Sequence, residues 1–178
     1  MDLKLLGGAL ALDFVNTRDP LVGDEVREYL DSPAALGEWG KHVGLIPHGA
    51  RPRFDEDDLT RALEVRALLE RLFAAPRPAD RRSFPRAYAE AVATAELAES
   101  GDGFELRAAR GVDAILLPVL ESARELLLGS DRVRVRQCAS DDCRWFFVDR
   151  SRAGTRRWCR MDGCGARAKM RRYRARRR

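Results

Sequence analysis

Residues 138–178 read CASDDCRWFFVDRSRAGTRRWCRMDGCGARAKMRRYRARRR, and this stretch holds all four cysteines of the chain. Cys138 and Cys143 enclose four residues, Cys159 and Cys164 enclose four more, and fifteen residues lie between the pairs. Zinc takes four thiolates in a tetrahedron, and two close pairs joined by a short hairpin can deliver them from two sides. Two disulfides are the competing reading. They are disfavoured because the opening MDLKLLGGALALDF places Asp2 and Asp13 around its apolar stretch with no convincing cleavage site, so a cytoplasmic, reducing location is expected. A catalytic zinc is disfavoured too, since four thiolates leave no open position and no histidine follows His48. The expected cofactor is therefore a structural Zn2+ held by Cys138, Cys143, Cys159 and Cys164.

The charge of the chain divides at the same place. Residues 132–178 carry 17 Lys and Arg against four acidic residues, whereas residues 1–131 carry 16 against 24. A basic end on an acidic body points to a polyanionic partner. No apolar run approaches the roughly 20 residues of a membrane span, so no membrane association is expected.

Between and around the cysteines the periodicity predicts short strands. RVRVRQC alternates, with Val133 and Val135 on one face; RWFFVD and TRRWC read as two further strands joined across RSRAG, where Gly154 supplies the turn. From Cys164 onward an Arg- and Ala-rich run predicts a helix of about 22 Å at 1.5 Å per residue. Ala166, Met170 and Tyr173 form an apolar stripe expected to pack on the strands, with basic residues covering the rest. A knuckle, a hairpin and a second cysteine pair leading into a helix describe a treble-clef-like finger, too small to fold without its metal. Arg152, Arg156, Arg157, Arg167, Lys169, Arg171, Arg172, Arg174 and Arg176 are the candidate nucleic-acid contacts. Trp145, Phe146, Phe147 and Trp158 invite base stacking, but so small a unit needs most of them as core.

The stretches CASDDCRWFFVDRSRAGTRRWCRM and CGARAKMRRYRARR resemble the CGNR zinc finger, a C-terminal module of bacterial proteins. Ala166 stands where that signature has Asn, which leaves zinc ligation untouched and implies the loss of a cap or local hydrogen bond. GGALALDFVNTRD (residues 7–19) is similar to the opening of the ABATE domain of predicted stress-induced transcription regulators. Together the resemblances imply a DNA-binding bacterial transcriptional regulator, with residues 1–130 as a helical regulatory domain and residues 131–178 as the finger.

The N-terminal part predicts four helices unaided: a short one after the Asp31/Ser32 cap and Pro33; a long one over DEDDLTRALEVRALLERLFAA with Arg66 on its inner face; one over RSFPRAYAEAVATAELAE; and one over GVDAILLPVLESARELLLG, where Pro118 could kink it. FELRA reads as a brief strand. Asp13, Asn16 and Thr17 follow an apolar, strand-like run, and with Arg66 they could line a small-molecule pocket, although such groups more often make turns and caps. His42 and His48 show no partner. No nucleophile–base spacing or phosphate-binding loop appears, so a non-enzymatic role is expected.

The fold expected is thus α+β, a mainly helical N-terminal domain with short strands and a treble-clef-like finger ending in a basic helix. DNA is the expected partner, with a small-molecule effector and a homodimer as further expectations. The alternative is a zinc-stapled RNA-binding or protein-interaction module.

Overall fold

The computed structural model describes residues 3–22, 25–108 and 111–177. The chain enters through α1 (Leu10–Val15), a helix of six residues in which Ala11 through Val15 are all buried. The sequence expectation was a strand. A helix enclosed on every side shows no apolar–polar alternation of either period, so a run of five apolar residues broken only by Asp13 does not reveal which it forms. The hairpin β1 (Arg18–Val22) and β2 (Glu25–Glu28) follows, antiparallel with Arg18 opposite Glu28. The chain then reaches α2 (Pro33–His42), where Ser32 caps the Ala35 N–H and Pro33 occupies the first turn as predicted.

Helix α3 (Glu56–Ala74) starts on a capping box in which Asp55 and Asp58 serve each other's backbone N–H groups. Its inner face carries Leu59, Ala62, Val65, Leu69 and Leu72, with Arg66 buried among them. Helix α4 (Pro78–Ala93) continues through Pro85 and ends six residues earlier than the sequence suggested. The segment AELAES is instead β3 (Ala95–Ser100), paired antiparallel with β4 (Gly103–Ala108). Ala, Glu and Leu favour helix locally, but Gly101, at φ +58°, turns the chain back and the pairing prevails. Leu97, Phe104 and Leu106 of this hairpin share one exposed face. Helix α5 (Asp113–Leu128) runs unbroken through Pro118 and contributes eight buried residues to the core.

The core of the body is α1 lying against α3 and α5, with α4 packed on both of those. Phe14 meets Trp39 of α2 with ring centroids 5.0 Å apart. Tyr88 of α4 donates to Glu121 of α5, and Asp113 at the start of α5 pairs with Arg61 of α3 at 2.8 Å. Among the described residues no helix is long and apolar enough to cross a membrane.

Asp80 fastens α4 to α3. It is almost fully buried, accepts from Arg71 Nε at 2.8 Å and from the Arg77 backbone N–H at 3.0 Å, and the Arg71 bond above all holds its carboxyl down to about 2. An acid whose folded value lies below its unfolded one contributes stability above the unfolded value and loses it as pH falls through the folded one. Asp80→Asn is therefore expected to lower stability near neutral pH and to flatten the loss between about pH 4 and about pH 2, read from urea midpoints across that window.

After α5 a single 3₁₀ turn (Ser130–Arg134) leads into β5 (Val135–Gln137). The strand predicted from Arg132 thus begins three residues later, and Val133 is exposed rather than inward. β5 pairs antiparallel with β6 (Phe146–Val148), and the first cysteine pair sits in the turn between them. TRRWC forms no strand; it joins the finger through one backbone bond, from Ala139 N–H to the Arg157 carbonyl at 2.8 Å. A five-residue π turn (Met161–Gly165) carries Cys164 into α6 (Ala166–Ala175). The terminal helix is thus shorter than expected, because the metal-binding turn takes its first residues. The result is an α+β chain: a mainly helical body with short strands, and a finger that ends in a basic helix.

Candidate functional site

Each cysteine is brought to one point by its own piece of backbone. Cys138 leaves β5 and donates its N–H to the Trp145 carbonyl at 2.8 Å, the Cys143 N–H closes the knuckle on the Ser140 carbonyl at 3.0 Å, and Cys159 precedes and Cys164 lies within the π turn, which closes from the Gly165 N–H to the Arg160 carbonyl at 3.1 Å. The four sulfurs lie within 4.8 Å of one another and all four residues are buried. A tetrahedron with zinc–sulfur bonds of about 2.3 Å has edges of about 3.8 Å; Cys143 and Cys159 are 3.8 Å apart, and Cys159 and Cys164 3.6 Å. The donor set fits zinc in number, spacing and softness.

Four sulfurs this close cannot all ionise without a cation among them. Hydrogen bonds from the Cys143 and Cys159 thiols hold Cys138 far below the ordinary thiol value, while the bond to Cys138 pushes Cys143 up and Cys159 up to about 12. A dication removes that conflict. When bound, zinc ties the knuckle, the π turn and α6 together; no position is left for substrate.

The nine cations predicted to contact nucleic acid divide into two groups. Arg156 is exposed but engaged within the finger: it stacks on Phe147 with 4.4 Å to the ring centroid and donates to the Trp158 and Cys159 carbonyls. Arg167 donates to Asp142 at 3.0 Å and to the Cys164 sulfur at 3.1 Å, and Arg171 reaches Ser140 at 3.3 Å with Asp141 and Asp142 beyond. Arg157 and Arg172 are exposed and lie over Trp158. Arg152, Lys169, Arg174 and Arg176 are exposed and have no carboxylate or carbonyl partner among the described residues.

This arrangement reverses the orientation expected for α6. Arg167 and Arg171, one turn apart, face inward onto the acidic knuckle, so the opposite side of the helix points outward. Ala166, Met170 and Tyr173 are exposed, Met170 at 50% and Tyr173 at 53%, and no residue of α6 is buried. The reading of Ala166 as a residue facing the finger is therefore corrected. Sequence periodicity assigned the inner face by hydrophobicity, whereas Asp141 and Asp142 assign it by charge. Those two aspartates, the signal for the reversal, are visible in the sequence as the acids enclosed by the first cysteine pair.

Residues 8–130 match the ABATE family, described as "Putative stress-induced transcription regulator", and residues 134–177 match the CGNR zinc finger. The chain belongs to the ABATE family. Among curated proteins, none matches it.

The ABATE body and the CGNR finger meet along a continuous seam, and the four residues considered for a ligand pocket lie on it or beside it. Asn16 Nδ2 donates to the Phe146 carbonyl at 2.9 Å and its Oδ1 accepts from the Phe146 N–H at 2.8 Å, so one amide side chain clasps β6 of the finger. Asp13 accepts from the Gly7 N–H at 2.7 Å; the Gly7 carbonyl then accepts from the Val148 N–H at 2.8 Å. A Cβ on residue 7 would sit 2.7 Å from Leu12 Cβ and 2.9 Å from the Asp13 nitrogen, so only glycine fits there. Burial raises the Asp13 carboxyl, against the pull of the Gly7 N–H. Thr17 donates to the Phe14 carbonyl and accepts from Arg66, which is fixed in turn by two 2.6 Å bonds to Glu28. These four residues are buried and bonded to protein.

The finger reaches back at three further points. Trp145 Nε1 donates to the Arg18 carbonyl at 3.2 Å, Arg150 donates to the Gly8 carbonyl at 3.2 Å, and Phe146 meets Phe73 of α3 with centroids 6.3 Å apart. Trp145, Phe146 and Phe147 are buried, so the finger's aromatic residues are mainly core. Asp149, fully buried, organises the basic loop by accepting from Ser151 and from the Arg156 N–H, and these bonds, led by Ser151, hold its carboxyl down. His42 lies 2.7 Å from the Leu3 carbonyl, a partner the sequence did not show; His48 is exposed.

Proposed function

We propose that this chain is a zinc-dependent, DNA-binding bacterial transcriptional regulator, non-catalytic, whose CGNR finger docks on duplex DNA through α6. The observation that carries the reading is the outward side of α6, where the side chains of Lys169 and, just past the helix end, Arg176 have no carboxylate or carbonyl partner among the described residues, on a helix containing no acidic residue. A helix of that width enters a major groove, and unpaired cations at its edges reach phosphates. The burial of Trp145, Phe146 and Phe147 favours duplex over single strands, because stacking on bases needs exposed rings.

The test is fluorescence anisotropy with random duplex DNA, single-stranded DNA and RNA across a salt series, on protein of known zinc content. Duplex is expected to bind best. If about five cations contact phosphate, the logarithmic salt slope is about −4.5. Replacing Lys169 and Arg176 together by Ala is expected to make that slope shallower by about 1.8 with zinc retained. Arg167→Ala is expected instead to weaken the finger itself. Equal binding of single strands or RNA would turn the reading to an RNA-binding or protein-interaction module.

A homodimer and an effector belong to the same proposal. One finger covers less than a specific DNA site usually needs, and two copies presenting two α6 helices would span one. Sedimentation equilibrium checks the dimer. Thermal shift in a metabolite panel checks the effector.

A further inference from the structure

The outward side of α6 carries more than charge. Ala166, Met170 and Tyr173 recur at i, i+4 and i+7 and form one exposed apolar line along the helix. Helical spacing places Lys169 and Arg176 along one flank of that line and Arg174 along the other, with Arg177 over the Tyr173 ring, 5.2 Å from its centroid. No acidic side chain interrupts it. A purely electrostatic surface would have no reason to set its apolar residues at the centre, where they are farthest from water-accessible phosphates.

We propose that Ala166, Met170 and Tyr173 face base edges in the major groove and that they read thymine C5 methyl groups, giving the finger a preference for A·T-containing sites. The inference rests on the DNA-binding reading above. Its logic is geometric: a helix lying in the groove presents its central line to the bases and its flanks to the two phosphate walls. The major groove offers one apolar group, the thymine methyl, and every other feature there is a hydrogen-bond donor or acceptor. Alanine and methionine have neither a donor nor a strong acceptor with which to read guanine or cytosine.

The closing experiment uses the full-length, zinc-loaded protein and one A·T-rich duplex synthesised with thymine and again with uracil, which lacks only the C5 methyl. Burial of one methyl corresponds to a factor of about four, so the thymine duplex is expected to bind at least about fourfold more tightly. Met170→Ala, checked for zinc content and helicity, is expected to erase most of that difference while leaving the salt slope unchanged, since no phosphate contact is lost. Tyr173→Ala serves as a second, independent variant. Equal affinity for the two duplexes with a steep salt slope would overturn the methyl reading and leave DNA binding intact. A thymine preference that survives both variants would also overturn it, placing the readout elsewhere. Failure to bind any duplex would remove both.

Discussion

Stripping zinc from the protein with a chelator is expected to unfold residues 134–177 and to disturb the helical body as well. The finger has few apolar residues of its own besides Trp145, Phe146, Phe147 and Val148, and metal binding in such a unit supplies on the order of 10 kcal/mol or more of its folding energy. Loss of the tetrahedron frees β6, and with it the groups that satisfy Asn16 and the Gly7 carbonyl. Hydrogen exchange should therefore rise both at Phe146–Val148 and at the amides of Gly7 to Thr17. Cys159→Ser should reproduce the effect without chelator. One zinc per chain by elemental analysis, and protection of both segments on adding it back, is the expected result. Exchange confined to the finger would mean that the seam is too weak to couple the two parts.

Asn16→Ala is expected to destabilise the protein by about 3 kcal/mol, because a buried backbone N–H and a buried carbonyl would lose their partners at once, each costing about 1–3 kcal/mol. Asn16 is 1% exposed, so water cannot replace it without opening the seam. Asn16→Asp keeps the acceptor for the Phe146 N–H but sets a second oxygen against the Phe146 carbonyl, and should be no better. Denaturant titration measures both, and the zinc affinity should fall in parallel because the clasped strand follows directly on Cys143. A residue that served a ligand would behave otherwise, leaving stability unchanged when removed.

The parts of this molecule legible in its sequence are those with a strong local signature. The cysteine spacing gave the metal centre, and acidic first turns with apolar spacing gave α3 and α5. The parts that were misread depend on what lies across from them. Helix α1 is enclosed on all sides and so has no pattern; AELAES pairs with FELRA only because Gly101 reverses the chain; TRRWC is held by one backbone–backbone bond, the Asp149 carboxylate and the metal site rather than by a ladder. The reversed α6 is the most instructive case. Hydrophobicity normally decides which face of a helix is inward, but two aspartates on a neighbouring turn outweigh one methionine and one tyrosine when the helix has no core to enter. Asn16 was singled out for its polarity, and its partner, 130 residues away on the chain, could not be read from its neighbours.

The seam also bears on modularity. The two matched regions abut near residue 130, which invites cutting the chain there and moving the finger to another protein. Yet Gly7, Asn16 and Arg18 complete the finger's central strand from the opposite end of the chain. A finger excised at that boundary would retain every cysteine and lack its supporting edge. In design and in descent alike, the transferable unit is the finger together with the first twenty residues, and shuffling that separates them would deliver a metal site with nothing to lean on.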